Sequence, residues 1–301
     1  MADATQPQPA PAPGIALPPR RRRRLAEVGR LGPVWAVPVV LFLSGFFLMP
    51  LAANIMRALD DGEGGLTLAH YAKLLTDAYY AGVVIETFKI ATITTIICLV
   101  LGYPVAYFMV RHAGRWNTVI VFCLIAPLLT SIIMRTFGWT VLFARKGLIN
   151  NWLIEWGLIA RPLRLIDTEL MVYIGLTHVL VPFMVLSITA VLQGIDERLE
   201  ESAQILGASP LRAFLRITLP LSLDGIATGC ILVFVLTNGS FLTMLLLGGG
   251  KVTTLSLLIY QQFTLTQDVA FAAAMGNVLL LCSVIALIVQ LRFVRRKGVK
   301  P

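Results

Sequence analysis

The sequence predicts an all-α integral membrane fold: six transmembrane helices, with a cytoplasmic helix–turn–helix between the fourth and fifth. Three observations carry this. Of 301 residues, 57% are hydrophobic and 14% charged, where an ordinary soluble domain has about 25% charged residues. Six apolar runs are each long enough for the roughly 20 residues that a membrane-crossing helix takes. Basic clusters flank the first and last of these runs, as they do at cytoplasmic membrane ends. A chain with so few charges cannot cover the surface of a soluble fold, which excludes most soluble enzymes, intrinsic disorder and a disulfide scaffold.

The elements follow in order. Residues 1–33 are expected to be a disordered, basic cytoplasmic tail. It is rich in Pro, Ala and Gln and ends in the block Arg20 to Arg24. The apolar run after it is longer than the core of a cleavable signal and has no small-residue cleavage site, so it reads as an anchor. The six-span domain covers 34–293, with spans near 34–56, 83–109, 118–143, 170–192, 222–247 and 269–292. None alternates with the two-residue period of a barrel strand. Residues 294–301 are a second basic tail.

The net charge of +9 raises nucleic acid as a partner, but its distribution argues for a bilayer instead. Sixteen of the 25 Lys and Arg fall on the side that holds both termini, and seven on the other. That asymmetry predicts cytoplasmic N- and C-termini. On the outer side, 144–169 reads as a short amphipathic helix at the interface, with Trp152, Ile154, Trp156 and Leu158 among polar residues. Cys98, Cys123, Cys230 and Cys282 each stand alone in an apolar stretch. His70, His112 and His178 fall in separate segments. Neither a metal site nor a disulfide framework is indicated.

The loop at 194–220 is the most informative stretch. Residues 197–206 have helix formers, with Leu199, Ala203 and Leu206 on one face. Gly207 stands where a helix-ending glycine would. Ser209 can cap a second short helix with Pro210 at its first position. Leu211, Phe214 and Leu215 give that helix an apolar side, and Pro220 opens the fifth span. Both short helices therefore carry apolar residues that something must bury.

Glu201-Ser202-Ala203, Gly207, then Ile217, Leu219 and Pro220 resemble the E-A-A-x3-G-x9-I-x-L-P loop of binding-protein-dependent ABC importer permeases. Ser202 stands where alanine is usual. Further stretches are similar to the spermidine/putrescine branch of that superfamily. They are Gly102-Tyr103-Pro104-Val105-Ala106-Tyr107, Pro127 with Arg135-Thr136-Phe137-Gly138-Trp139 and then Gly147 and Asn150, and Leu180-Val181-Pro182-Phe183-Met184 with Ile195-Asp196. In the fifth span, Gly239-Ser240-Phe241-Leu242-Thr243-Met244 precedes Gly248-Gly249-Gly250, with Met244 in place of a helix-breaking proline. The similarity covers about residues 82–293.

The resemblance implies a permease subunit in a bacterial inner membrane that does no covalent chemistry. It implies two ATPase subunits, a second permease chain different from this one, and a periplasmic solute-binding protein. Glu201, Ser202, Ala203, Gly207 and Ala208 would dock on the ATPase, while Ile217, Leu219 and Pro220 would join the elbow rigidly to the fifth span. The chain itself would carry no cofactor; ATP and Mg would sit in the partner ATPase. Polyamines are the solutes implied, with opines and amino-acid derivatives as the alternative.

Arg135 lies deep in the third span, and a charge there marks a functional site or a structural pair, with Glu86 the nearest candidate by depth. Lys89 and Glu86 are three apart and suit mutual neutralisation. Thr130, Ser131, Arg135, Trp139, Asn238, Ser240 and Thr243 form a candidate translocation path; helix–helix hydrogen bonding is the competing role. Gly225 and Gly229 have close-packing spacing. Asp224 favours the start of the fifth span.

The stretch Gly248 to Thr253 fails as a phosphate loop, because Leu245 and Val252 replace its required glycine and hydroxyl residue. A stand-alone ion-coupled transporter would show paired broken helices or an inverted repeat. An integral-membrane enzyme would need clustered acid or histidine residues. The sequence shows neither clearly.

Overall fold

The computed structural model describes the backbone of residues 19–61 and 65–297, and side chains within 37–61 and 65–292. The chain divides into two units, Met1–Ala53 and Asn54–Pro301. Most of helix α1 (Pro19–Leu59) belongs to the first. It exposes Phe42, Phe46 and Met49, an all-apolar surface suited to lipid. Part of the tail expected to be disordered is helical, since α1 starts at Pro19. Arg, Leu and Ala are strong helix formers, and proline is favoured at a first helical position. Residues 1–18 of that tail, and 298–301 of the C-terminal one, lie outside the described residues.

The second unit is helical throughout its ordered elements. In chain order these are α2 (Ala69–Thr76), α3 (Ala78–Arg111), α4 (Asn117–Ile125), α5 (Ile132–Phe143), α6 (Leu148–Glu155) and α7 (Glu169–Leu192). Then come α8 (Arg198–Ile205), α9 (Pro210–Ala213), a π-helical turn (Phe214–Thr218), α10 (Leu219–Leu221) and α11 (Leu223–Asn238). The last are α12 (Phe241–Leu247), α13 (Leu255–Gln261) and α14 (Val269–Lys297).

The core is the packing of α3, α7 and α11. Ile90, Cys98 and Ala106 of α3 meet Leu176, Met184 and Ile188 of α7 and Val233 of α11. Lipid supplies no hydrophobic drive between such helices, so close backbone approach must. Gly225 and Gly229 provide it, because a Cβ at Gly229 would stand 2.6 Å from Met184 Sδ and one at Gly225 3.0 Å from Val191 Cβ. The close-packing spacing seen in the sequence therefore sets the rotation of α11 against α7.

Among the described residues, four helices are long and apolar enough to cross a membrane unbroken: Val37–Leu59, Ala78–Arg111, Glu169–Leu192 and Val269–Arg292. The run expected as a single third span is instead a pair, Gly114–Leu129 and Ile132–Glu155, bent by 98°. Thr130 and Ser131 are extended there. Pro127 lacks an amide donor and disfavours helix in the residue before it, which weakens the helix just upstream. The fifth run also breaks, at Gly239 and Ser240, between α11 and α12. Met244, which replaces a proline in the related pattern, is buried inside α12. The break thus falls four residues earlier, at a Gly–Ser pair, a common site of sharp bends.

The segment 144–169 contains one short helix, α6, whose Trp152 and Trp156 are exposed and stacked 6.3 Å apart. Fully buried Asn150 staples this loop. Its amide donates to Ala144 O (2.9 Å) and Leu163 O (3.1 Å) and its oxygen accepts from Leu163 N (2.8 Å). The glycine-rich stretch is a turn, with Asp167 N donating to Leu247 O at 3.2 Å beside it.

Candidate functional site

The elbow forms as its sequence dictates. Helix α8 ends in paired hydrogen bonds, Gly207 N to Gln204 O (2.9 Å) and Ala208 N to Ala203 O (2.9 Å). Gly207 has φ +90°, a conformation that costs any residue with a Cβ. Ser209 Oγ accepts from Arg212 N at 3.4 Å and Pro210 occupies the first turn of α9. Ile205 and Leu206 are 85% and 88% exposed, and Leu199 and Leu211 are exposed as well. Glu201 and Ser202 lie on the same open surface. The apolar side of the elbow therefore faces outward, away from the core.

What faces inward is a carboxylate. Glu200 is buried, and its Oε1 accepts from Thr218 Oγ1 (2.6 Å), Arg111 Nε (3.3 Å) and Arg111 Nη2 (3.2 Å). Its Oε2 accepts from Tyr107 Oη at 2.9 Å. Arg111 also donates to Ile195 O from Nη1 and Nη2, both at 3.2 Å. Burial pushes the Glu200 carboxyl up. The hydrogen bonds from Thr218 and Tyr107 and the Arg111 charge outweigh that and hold it below the usual carboxylate range.

The donors come from one stripe of α3. Tyr103, Tyr107 and Arg111 are spaced four apart and so share a helix face. Tyr103 Oη pairs with Ser222 Oγ at 2.8 Å. The Phe214 ring meets Tyr103 and Tyr107 edge-on, at 5.6 and 5.3 Å. The Gly-Tyr-Pro-x-Ala-Tyr stretch is thus the half of α3 that grips the elbow. Sequence reasoning singled out Glu201 and passed over Glu200, which sits in an acidic run that looks solvated.

The junction to the fifth span, where Ile217, Leu219 and Pro220 are expected to form a rigid joint, departs from regular α-helix. Ile217 and buried Thr218 lie in the π-helical turn. The helical stretch Pro210–Leu221 meets Leu223–Asn238 at 63°.

The polar residues expected to line a path take different local partners. Thr130 Oγ1 donates to Pro127 O (2.8 Å) and exposed Ser131 opens α5, both at the break. Asn238 is buried toward α14, with its amide 3.5 Å from Ser283 Oγ. Buried Thr243 faces α7, where its methyl would lie 3.3 Å from a Cβ at Gly175. Ser240 Oγ donates to Leu236 O at 2.7 Å. Trp139 lines a largely apolar cavity of about 390 Å³ between α3, α5 and α7. Its Nε1 donates to His178 Nδ1 at 3.4 Å. Arg135 Nε and Nη1 are buried and have no hydrogen-bond partner among the described residues. Glu86 does not pair with Arg135; it binds Lys89 (3.1 Å), which also reaches Glu169 (2.9 Å).

Comparison with known proteins places this geometry. The profile of the family described as binding-protein-dependent transport system inner membrane component matches residues 33–299. The spermidine/putrescine transport system permease protein PotB of Haemophilus influenzae is 35% identical over 70% of this chain and 73% of its own length. PotB of Escherichia coli K12 is 36% identical over 75% of this chain and 82% of its own. The fold matches a chain of a bacterial ABC transporter that imports the acidic polysaccharide alginate. The TM-score is 0.76 at 17% identity, covering 91% of this chain and 99% of the other. The same transporter in complex with an alginate-bound periplasmic protein matches at TM-score 0.76.

Proposed function

The chain belongs to the family of binding-protein-dependent transport system inner membrane components, and we propose that it moves polyamines inward. It is a multi-pass inner-membrane permease subunit of an ABC importer, not an enzyme. In our reading both termini and the elbow face the cytoplasm, because most of the Lys and Arg lie on that side. Two ATPase subunits bind the elbows of this chain and of a second permease chain. ATP and Mg reside in those subunits. A periplasmic solute-binding protein delivers solute to the loops at the opposite face. Closure of the ATPases rocks the spans between inward- and outward-open states.

The observation that carries the coupling role is the outward apolar face of α8 and α9, held in place from behind by Glu200. Water does not favour such a surface, so a partner groove is its fit. The solute class rests on the polyamine permeases that this chain resembles over most of its length. A second reading, an opine or amino-acid derivative, is favoured by Arg135, whose unpartnered guanidinium suits a carboxylate.

Uptake of labelled putrescine and spermidine is measured in cells with and without this chain, with its partner genes present. Loss on deletion supports polyamine transport. Unchanged uptake, in cells with no second polyamine importer, sinks it and makes carboxylate-bearing solutes the next panel. Gly207→Pro is expected to abolish co-purification of the ATPase or to uncouple transport; if both survive, the elbow is not the coupling element.

A further inference from the structure

We propose that Glu200 is a positioning residue that locks the elbow to the C-terminal half of α3, so that the two move as one lever. The proposal rests on the reading of the elbow as the ATPase-docking element. The covalent connections of the elbow interrupt regular α-helix on both sides. Toward α7 it is joined through Gly194 and Ile195, outside any helix. Toward α11 it is joined through the π-turn at Phe214–Thr218 and a 63° bend. Without side-chain ties, a push on α8 would be absorbed at either joint.

The stiff connection is non-covalent and runs to a helix that is not the elbow's neighbour in sequence. Glu200 takes hydrogen bonds from Tyr107 and Arg111 of α3 and from Thr218 behind it. Arg111 ties down the loop before α8 through Ile195 O. Phe214 wedges between Tyr103 and Tyr107. The Arg111 and Glu200 side chains are 6% and 9% exposed. A pair so dry does not exchange with water at each cycle, and opening it would strand a charge. Displacement of the elbow is therefore delivered into α3, whose Ile97 and Leu101 line the cavity beside Trp139. Thr218 brings the π-turn into the same cluster, and the 2.8 Å hydrogen bond between Tyr103 and Ser222 brings in the bend to α11.

The test uses the whole complex of both permease chains and ATPases in lipid. Nitroxide labels are placed at Gln204→Cys on the elbow and Phe108→Cys on α3, with the four native cysteines replaced. Distances are read before and after trapping with ATP and vanadate. The expected result is a distance that holds within about 2 Å, the scale of ordinary helix shifts. In Glu200→Gln it is expected to move or broaden well beyond that. A second readout is ATP hydrolysed per labelled putrescine imported. Glu200→Gln and Thr218→Val should raise that ratio about fivefold or more, a coupling loss of common size. Thr218→Ser, which keeps the hydroxyl, should leave it unchanged.

A purely structural role would lower the yield of complex and both rates together, with the ratio constant, and would overturn the proposal. So would a distance that already changes in the unaltered complex. If Glu200→Gln fails to assemble, the unaltered distance and the Thr218 pair still decide. Failure of the ATPase to co-purify would sink the elbow reading itself. An ATPase that co-purifies while the labels separate would sink the lever alone. Absence of putrescine uptake by the unaltered complex refutes only the solute assignment, since the distances need no solute.

Discussion

Helix α3 carries an ion pair near each end, and the two differ in everything but length. Arg111 meets Glu200 at 3.2 Å, while Lys89 meets Glu86 at 3.1 Å and Glu169 at 2.9 Å. By distance alone the Lys89 pairs are the tighter. Yet the Lys89, Glu86 and Glu169 side chains are 42%, 28% and 46% exposed, against 6% and 9% for Arg111 and Glu200. Exposed pairs are screened and contribute about 0–1 kcal/mol. A buried pair is different, because removing one partner strands the other's charge. Twenty-two residues of helix separate the two sites, roughly 33 Å at 1.5 Å per residue, about the thickness of a bilayer's hydrocarbon core. The comparison teaches that burial, and not the N–O distance, tells a fastening from a surface contact.

The largest expected effect breaks the buried pair. Arg111→Met should destabilise the protein by about 3–5 kcal/mol, read as a lower melting temperature in detergent. Arg111→Met with Glu200→Met should recover part of that loss. If the single substitution is silent, the cluster is not the fastening described here. Acid acts on the same pair. The Glu200 carboxyl lies below its usual range when folded, so its ionised form stabilises the folded state. That contribution is whole above the unfolded value of about 4.3 and fades as pH falls through the depressed folded value. The stability gap between Glu200→Gln and the unaltered protein should therefore stay constant from about pH 8 to about pH 5 and narrow only in stronger acid.

Thr218→Val removes a 2.6 Å hydrogen bond to a charged acceptor and should cost about 1.5–3 kcal/mol. Thr218→Ser should restore most of it. The smallest effect is expected at the far end. Glu169→Gln should change stability by about 1 kcal/mol or less. That difference should shrink in about 1 M salt, where the screening length is near 3 Å. A loss at Glu169 as large as that at Arg111 would show that the Lys89 site is buried by a neighbour and would erase the contrast.

Much of this was legible before any coordinates. The elbow's helix, its glycine stop and its serine cap are local features, encoded within a few residues of each other. The apolar runs follow from composition. Rotation about each helix axis was not legible. Leu199, Ala203 and Leu206 look like the side to bury, yet Leu199 and Leu206 are exposed and the flank that carries Glu200 beside half-buried Ala203 packs inward. One signal was present: Tyr103, Tyr107 and Arg111 repeat at intervals of four, a polar stripe on an otherwise apolar span that needs an acceptor.

The polar residues of the third and fifth runs show the same limit. Their depth can be counted along the chain, but Asn238 turns toward α14 and Thr243 toward α7. The close approach at Gly225 and Gly229 fixes the rotation of α11 and so of Asn238, while Leu247 and Thr243 against Gly175 fix that of α12. The breaks at Thr130 and Gly239 likewise divide what hydropathy joins.

The sequence by itself determined that this chain is a helical membrane protein with an elbow of a known transport family. Hydropathy, charge asymmetry and capping are sums of local terms, each readable in order along the chain. Only the tertiary structure decided which helix the elbow is fastened to. That choice depends on Arg111 and Glu200, which are 89 positions apart, meeting in a place dry enough that neither charge can be left alone.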